Sequence, residues 1–394
     1  MLFTSASDTF VDNLHTLLIM FAIAASAPLL VGLLPRPKLP EVVLLLVGGI
    51  VVGPHLLNLV SSTHGVELFV ELGLGFLFFV AGLEINPRIL TRPAGKRAGV
   101  AWLVSMSLAL VLCGLLGAAG VITAVGPLAV GLSTTAIGTL LPVLRDNGLL
   151  TTALGERVVA AGAVGEFGPL LAISLFLGTQ GFGFSLLALL GLGLIGAAAL
   201  VLPKRFVSER IRTIVAHGEH TSSQTVVRWT VVLMMFLLVA TQQLGQDLVI
   251  GAFLAGAILR LYLPQQSELF THKIEALAFG FFVPLFFVSS GIGLDLPAIG
   301  SHPDRVLVLF AGLALVRGLP TYLLHRRQVP DRTERTMLAL YTATGLPLII
   351  AVTAIGVSSG VMLPENAAAL VGAGVLSVLA FPTTAEVLRR RLPS

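Results

Sequence analysis

Apolar stretches of about twenty residues recur along the whole chain, separated by short polar segments. They lie near 15–34, 41–60, 68–85, 98–119, 127–144, 156–177, 184–203, 226–244, 247–263, 276–295, 305–325, 336–358 and 366–388. At ~1.5 Å of rise per residue, about twenty helical residues cross a ~30 Å hydrocarbon layer. The pattern predicts an all-α integral membrane fold with about thirteen transmembrane helices. Every basic residue except Arg305 and Arg317 falls in loops or span ends on one side of these spans. The positive-inside rule then puts the N-terminus outside and the C-terminus in the cytoplasm of a plasma (inner) membrane.

The hydropathy pattern also repeats. Phe78-Phe-Val-Ala-Gly-Leu-Glu-Ile85 of the third span is echoed by Phe286-Phe-Val-Ser-Ser-Gly-Ile-Gly-Leu-Asp-Leu296 of the tenth. Gly48-Gly-Ile-Val-Val-Gly-Pro54 of the second is echoed by Gly251-Ala-Phe-Leu-Ala-Gly-Ala257 of the ninth. Matching spans stand an odd number of helices apart, so the halves run in opposite directions. This predicts inverted six-helix repeats over about 15–177 and 226–388, with a linker helix at about 184–203, all in one transporter domain over 1–394. The fifth and twelfth spans match in the same way. Each is interrupted at mid-depth, by Gly131-Leu-Ser-Thr-Thr-Ala-Ile-Gly138 and by Thr342-Ala-Thr-Gly-Leu-Pro347. Hydroxyls, glycine and proline at that depth predict two discontinuous helices, with freed carbonyls and half-helix ends able to face an ion.

Composition agrees. Of 394 residues, 56% are apolar and 11% charged, against about 25% charged in soluble proteins. The net charge of +4 is scattered over short loops and does not form a nucleic-acid surface. The one cysteine, Cys113, lies inside an apolar span and reads as packing. The start carries no basic n-region, so the first span reads as a retained helix and not a signal peptide. No Walker loop, zinc spacing or nucleophile elbow is present, so the chain is not expected to be an enzyme or to hold a cofactor.

Glu166 stands about ten residues in from Glu156-Arg157, ~15 Å along a helix and near the bilayer centre. An acid at that depth is expensive and points to function. Desolvation raises a carboxyl pKa, so a proton and a monovalent cation can compete for it. Gly162, Gly165 and Gly168 allow close helix approach. Pro169 has no N–H to give the Gly165 carbonyl and so leaves an acceptor beside the acid. Gly165, Pro169, Gly345 and Pro347 are the expected helix-breaking positions. Arg317, also near mid-depth, reads as a counter-charge for Glu166 or as a cap for broken-helix carbonyls. Ser133, Thr134 and Thr135 offer hard oxygen ligands, or else pack against carbonyls one turn back. Thr344 offers a main-chain oxygen. Glu84 and Asp295 end their spans and read as interfacial. His55, His64, His302 and His325 are expected to be solvated, and Gln242, Gln243 and Gln246 to lie at an outer interface.

These residues together resemble monovalent cation:proton antiporter family 2, which includes bacterial sodium/proton exchangers and the membrane domain of Kef-type potassium/proton antiporters. The most specific pieces are Gly131-Leu-Ser-Thr-Thr-Ala-Ile-Gly-Thr-Leu-Leu-Pro-Val-Leu-Arg-Asp146, Gly155-Glu-Arg157 leading to Glu166, and Phe286-Phe-Val-Ser-Ser-Gly-Ile-Gly293. The resemblance implies crossed unwound helices at the fifth and twelfth spans, the ion-binding acid at Glu166 and the membrane-embedded base at Arg317. It also implies a homodimer, with a core bundle moving against a dimer scaffold. Many relatives carry two adjacent polar groups where this chain has Gly165-Glu166. One titrating acid beside a non-titrating arginine implies electroneutral exchange of one proton for one Na+ or K+. The chain stops at Ser394, so a nucleotide-binding regulatory domain is expected only on a separate subunit. The rival readings are a cation-coupled carrier of a small organic solute, a cation channel, and a non-transporting sensor subunit.

Overall fold

Helices occupy every predicted span, including the part of 184–203 that is described, residues 184–187, 190–191 and 194. The computed structural model describes residues 2–33, 40–60, 64–84, 92–177, 183–187, 190–191, 194, 224–262 and 268–390. The helices are α1 (Leu2–Leu33), α2 (Glu41–Val52), α3 (Glu67–Glu84), α4 (Pro93–Ala118), α5 (Val125–Leu132), α6 (Ile137–Asp146), α7 (Ala153–Leu177), α8 (Thr225–Gln243) and α9 (Leu248–Tyr262). They continue with α10 (Glu268–Leu277), α11 (Val283–Ile292), α12 (Leu296–Ser301), α13 (Pro303–Leu313), α14 (Leu319–Leu324), α15 (Arg332–Thr342), α16 (Leu346–Ser358) and α17 (Pro364–Arg389). Among the described residues, eight helical stretches are long and apolar enough to cross a membrane, with shorter apolar stretches at Glu41–Val52, Val125–Leu141 (interrupted after Leu132) and Leu248–Arg260.

The chain divides into two units. The first comprises Met1–Val66, Pro87–Ile173 and Phe287–Ser394. Its α16 is apolar all round and buries Leu346, Leu348, Ile349, Ile350, Val352 and Ile355, as expected of a helix enclosed by others. The helix packs against α17 and α5. A second layer joins Leu140 and Leu144 of α6, Val158 of α7, Met337, Leu338 and Tyr341 of α15, and Ala385 of α17. Leu18 and Leu29 of α1 and Leu103 and Leu115 of α4 remain exposed, the outward apolar face expected of a membrane helix. The second unit comprises Glu67–Asn86 and Ser174–Phe286 and is built around α3 packed on α9.

One glycine arrangement occurs in both units. In the first, a β-carbon on Gly49 would overlap the Val288 carbonyl, and one on Gly291 would overlap the Leu46 carbonyl. In the second, a β-carbon on Gly82 would overlap the Phe253 carbonyl, and one on Gly256 the Phe79 carbonyl. Each glycine therefore seats a facing backbone oxygen three residues ahead of its opposite glycine. Such small-residue seams let membrane helices approach backbone to backbone.

Two helices contain π turns, at Ala278–Phe282 between α10 and α11 and at Ala314–Gly318 between α13 and α14. The second holds Arg317. An inserted π turn shifts the register of the side chains after it and is common at functional sites.

Candidate functional site

The fifth and twelfth spans are interrupted where expected. α5 ends at Leu132 and α6 begins at Ile137; α15 ends at Thr342 and α16 begins at Leu346. Gly345 caps α16, and Pro347 lies in its first turn, where the missing N–H of a proline has no intrahelical partner to lose. α7, in contrast, runs through Gly165 and Pro169 as one helix. Neither residue breaks it, which corrects the expectation for those two positions. The proline acts one turn back instead. Its missing N–H leaves the Gly165 carbonyl open, and the Thr135 N–H donates to that oxygen at 3.0 Å.

The unwound segments are tied together through the backbone. Ala136 N–H donates to the Thr344 carbonyl at 2.8 Å, and the Thr135 hydroxyl donates to the Thr342 carbonyl at 2.6 Å. Gly345 N–H reaches Ser377 Oγ of α17 at 3.4 Å. Ser133 and Thr134 donate to the Val130 and Gly131 carbonyls, both at 2.8 Å. Their protons therefore satisfy the frayed end of α5, and their oxygen lone pairs remain available. Thr344 Oγ1 donates likewise to the Leu340 carbonyl at 3.1 Å.

Glu166 is 6% exposed, and its Oε1 accepts the Ile137 N–H at 2.9 Å. Ile137 is the first residue of α6. The carboxylate thus sits on the N-terminal end of a half-helix, where about half a unit of positive charge resides. This contact is the most informative in the site, because the break in the fifth span exists at the point where the acid needs a donor.

Arg317 is fully buried. Its Nε donates to Thr135 Oγ1 at 2.8 Å and its Nη2 to the Ala161 carbonyl at 2.9 Å. Its Nη1 has no hydrogen-bond partner among the described residues. A β-carbon on Gly165 would lie 2.5 Å from both Arg317 Nη2 and Thr135 Oγ1. The glycine next to the acid therefore leaves space that the guanidinium and this hydroxyl take up. One turn further along the helix, a β-carbon on Gly168 would overlap the Trp102 indole.

Sequence reasoning passed over Ser377, Ala161 and Trp102. Ala161 acts through its carbonyl, which leaves no side-chain signal. Two polar groups expected at surfaces are buried. His325 is 3% exposed, and its Nδ1 bonds the Thr321 carbonyl at 2.9 Å. Burial pushes its imidazole below the usual range; the bond to Thr321 opposes this, and Arg157 and Arg97 reinforce it. Gln246, 2% exposed, bonds Ser174 and Ser185 within the second unit. Beside it burial holds the Asp247 carboxyl above its usual range; the Val249 N–H opposes the shift and Glu71 adds to it. Asp295 caps α12, accepting from Ala298 N–H at 3.0 Å. His55 and His302 are exposed, and the side chain of His64 lies outside the described residues.

A buried carboxylate seated on a half-helix end, at the crossing of two interrupted apolar helices, is the geometry of a membrane transporter site. A family model described as "Sodium/hydrogen exchanger, transmembrane" matches residues 21–390, and the chain belongs to that family, one of transporters and not of enzymes. It is 28% identical over 387 residues to the glutathione-regulated potassium-efflux system protein KefC of Salmonella heidelberg (strain SL476), covering 95% of this chain and 61% of that protein. The Escherichia coli (strain K12) KefC is 27% identical over 393 residues, with the same coverage of both chains. The chain thus spans 61% of the length of these curated relatives. Among solved structures, the sodium proton antiporter MjNhaP1 from Methanocaldococcus jannaschii has the same fold, with a TM-score of 0.68 over 99% of both chains at 16% identity.

Proposed function

We propose that this protein is a secondary active antiporter that exchanges protons for a monovalent cation, Na+ or K+, through Glu166. The observation that carries the reading is the Glu166 contact with the first N–H of α6, at 2.9 Å. That N–H and the half-helix end stabilise the carboxylate enough for a cation to compete with a proton at an otherwise desolvated position. The lone pairs of Thr134 and Ser133, the one that Arg317 leaves on Thr135, and main-chain oxygens near Thr344 complete the cation shell. Arg317 supplies the fixed positive charge. With one titrating acid at the site, the exchange is one proton for one cation and electrically silent.

The paired glycine seams support inverted repeats. An operation that carries the second span onto the ninth and the third onto the tenth carries one of these helix pairs onto the other, and the two pairs share the same form of seam. All the proposed site residues lie in the first unit, which supports transport by movement of that unit as a body. The KefC relatives and the sodium proton antiporter support the cation class. The proposal includes a homodimer in the plasma membrane with its N-terminus outside and its basic loops in the cytoplasm.

The test is cation-induced proton movement in liposomes bearing the purified protein. Sodium, potassium, lithium and rubidium are compared, with and without a potassium/valinomycin clamp, beside Glu166→Gln. Cation-dependent proton release that is lost in the variant and unaffected by the clamp is the expected result. Exchange surviving in Glu166→Gln would move the site elsewhere, and a clamp-dependent rate would overturn the one-for-one stoichiometry.

A further inference from the structure

A cavity of about 240 Å³ opens at one end of the first unit, lined by Pro93, Ala94, Arg97, Ala153, Glu156, Arg157 and His325. We propose that it binds a tetrahedral oxyanion of the phosphate class, and that binding takes up a proton on His325. Two helix N-termini converge here, since Pro93 and Ala153 are the first residues of α4 and α7. Pro93 has no N–H, and Thr152 Oγ1 takes the Gly155 N–H at 3.1 Å, so the first-turn N–H groups of Ala94, Gly95, Ala153 and Leu154, with the dipole ends, are those that favour an anion. The lining adds two guanidinium groups. Arg97 has no hydrogen bond or ion pair among the described residues. Arg157 makes only a long bond of 3.4 Å to the Gln328 carbonyl. The one acid in the lining, Glu156, pairs with Arg92 at 3.6 Å, so the lining keeps two guanidinium groups against one carboxylate. Arg326 and Arg327 line a neighbouring recess, which keeps the surrounding potential positive.

His325 makes the binding proton-linked. A carbonyl only accepts, so the bond to Thr321 fixes the proton on Nδ1. Nε2 has no hydrogen-bond partner among the described residues, and the ring lines the cavity. Neutral, Nε2 is an acceptor that repels an oxyanion; protonated, it is a donor. The groups facing the ring are Arg97 from α4 and Glu156 and Arg157 from α7, and the two arginines disfavour its protonation until an anion arrives. The cavity lies at helix ends rich in basic residues, where a bilayer places its phosphates. Basic pockets of this kind take anionic headgroups. The shared chemistry is the phosphate oxyanion, free or on a lipid.

The test is equilibrium dialysis of radiolabelled sulfate, whose charge is constant from pH 5.5 to 8, against the purified full chain in chloride buffer. Saturable binding that tightens about tenfold from pH 8 to 5.5 is expected, the size of one gained charge-assisted hydrogen bond. Arg97→Gln should weaken binding about tenfold at both pH values. His325→Asn, which keeps a donor for Thr321, should bind with no pH dependence. Repeating the measurement in phosphatidylglycerol and in phosphatidylcholine nanodiscs, with added inorganic phosphate, identifies the source. Loss of sulfate binding only with phosphatidylglycerol assigns a lipid headgroup, and displacement by phosphate in both lipids assigns a free anion. Absence of saturable binding, binding indifferent to Arg97→Gln, or sulfate that neither phosphate nor phosphatidylglycerol displaces would each overturn the assignment.

Discussion

Replacing Thr135 with valine removes one hydroxyl on which two other groups depend. Thr135 Oγ1 donates to the Thr342 carbonyl at 2.6 Å and accepts from Arg317 Nε at 2.8 Å. Valine keeps the shape, so no cavity opens. The loss is therefore polar: a bond to a charged donor, worth about 1.5–3 kcal/mol, and a buried carbonyl stripped of its partner, about 1–3 kcal/mol. Local relaxation recovers part of the sum, which leaves about 3 kcal/mol, close to a hundredfold in an equilibrium constant. Thr135→Ser keeps both bonds and should cost only about 1 kcal/mol, the burial of a methyl group. The assays are thermal unfolding in detergent and proton release in liposomes. Valine should lower the melting temperature by several degrees and slow exchange at least about tenfold, with serine close to wild type. Valine and serine variants that behave alike would refute the role given to this hydroxyl.

Three further outcomes are expected. Gly165→Ala forces a methyl group against Arg317 and Thr135, so it should cost about 1–3 kcal/mol and slow exchange; a wild-type rate in liposomes would mean that the guanidinium has room to move. Gly49→Ala and Gly256→Ala, in different units, should each destabilise the fold by about 1–3 kcal/mol by separating helix backbones, and their effects should add in a double variant. Burial depresses the His325 pKa in the folded chain, so below the unfolded value near 6.5 the unfolded state binds the extra proton. In chloride buffer, stability should therefore fall as pH drops below that value, and His325→Asn should flatten this part of the thermal-unfolding profile.

The interrupted helices were legible because glycine, proline and hydroxyls are conspicuous inside apolar spans. Glu166 and Arg317 stood out for the same reason, as charges where charge is expensive. The effect of Pro169 was half legible. The sequence predicted a freed carbonyl, but the donor that meets it, Thr135 N–H, comes from another span. The burial of His325 and Gln246 was not legible, because residues at span ends are solvated or enclosed according to neighbours far away in sequence. The space beside Gly165 was likewise invisible: a missing side chain says nothing about which distant group, here Arg317, moves into it. The π turns carry no composition of their own.

The bonds from Thr135 N–H to the Gly165 carbonyl and from Ala136 N–H to the Thr344 carbonyl have an evolutionary consequence. Both are made by atoms that every residue but proline possesses. Substitution can therefore rework the acid, Ser133, Thr134 and the counter-charge, and with them ion preference, while these two bonds persist. The side chain on which they depend is that of Pro169. Any other residue there would bring back a competing N–H for the Gly165 oxygen, and the frame would have to share its anchor.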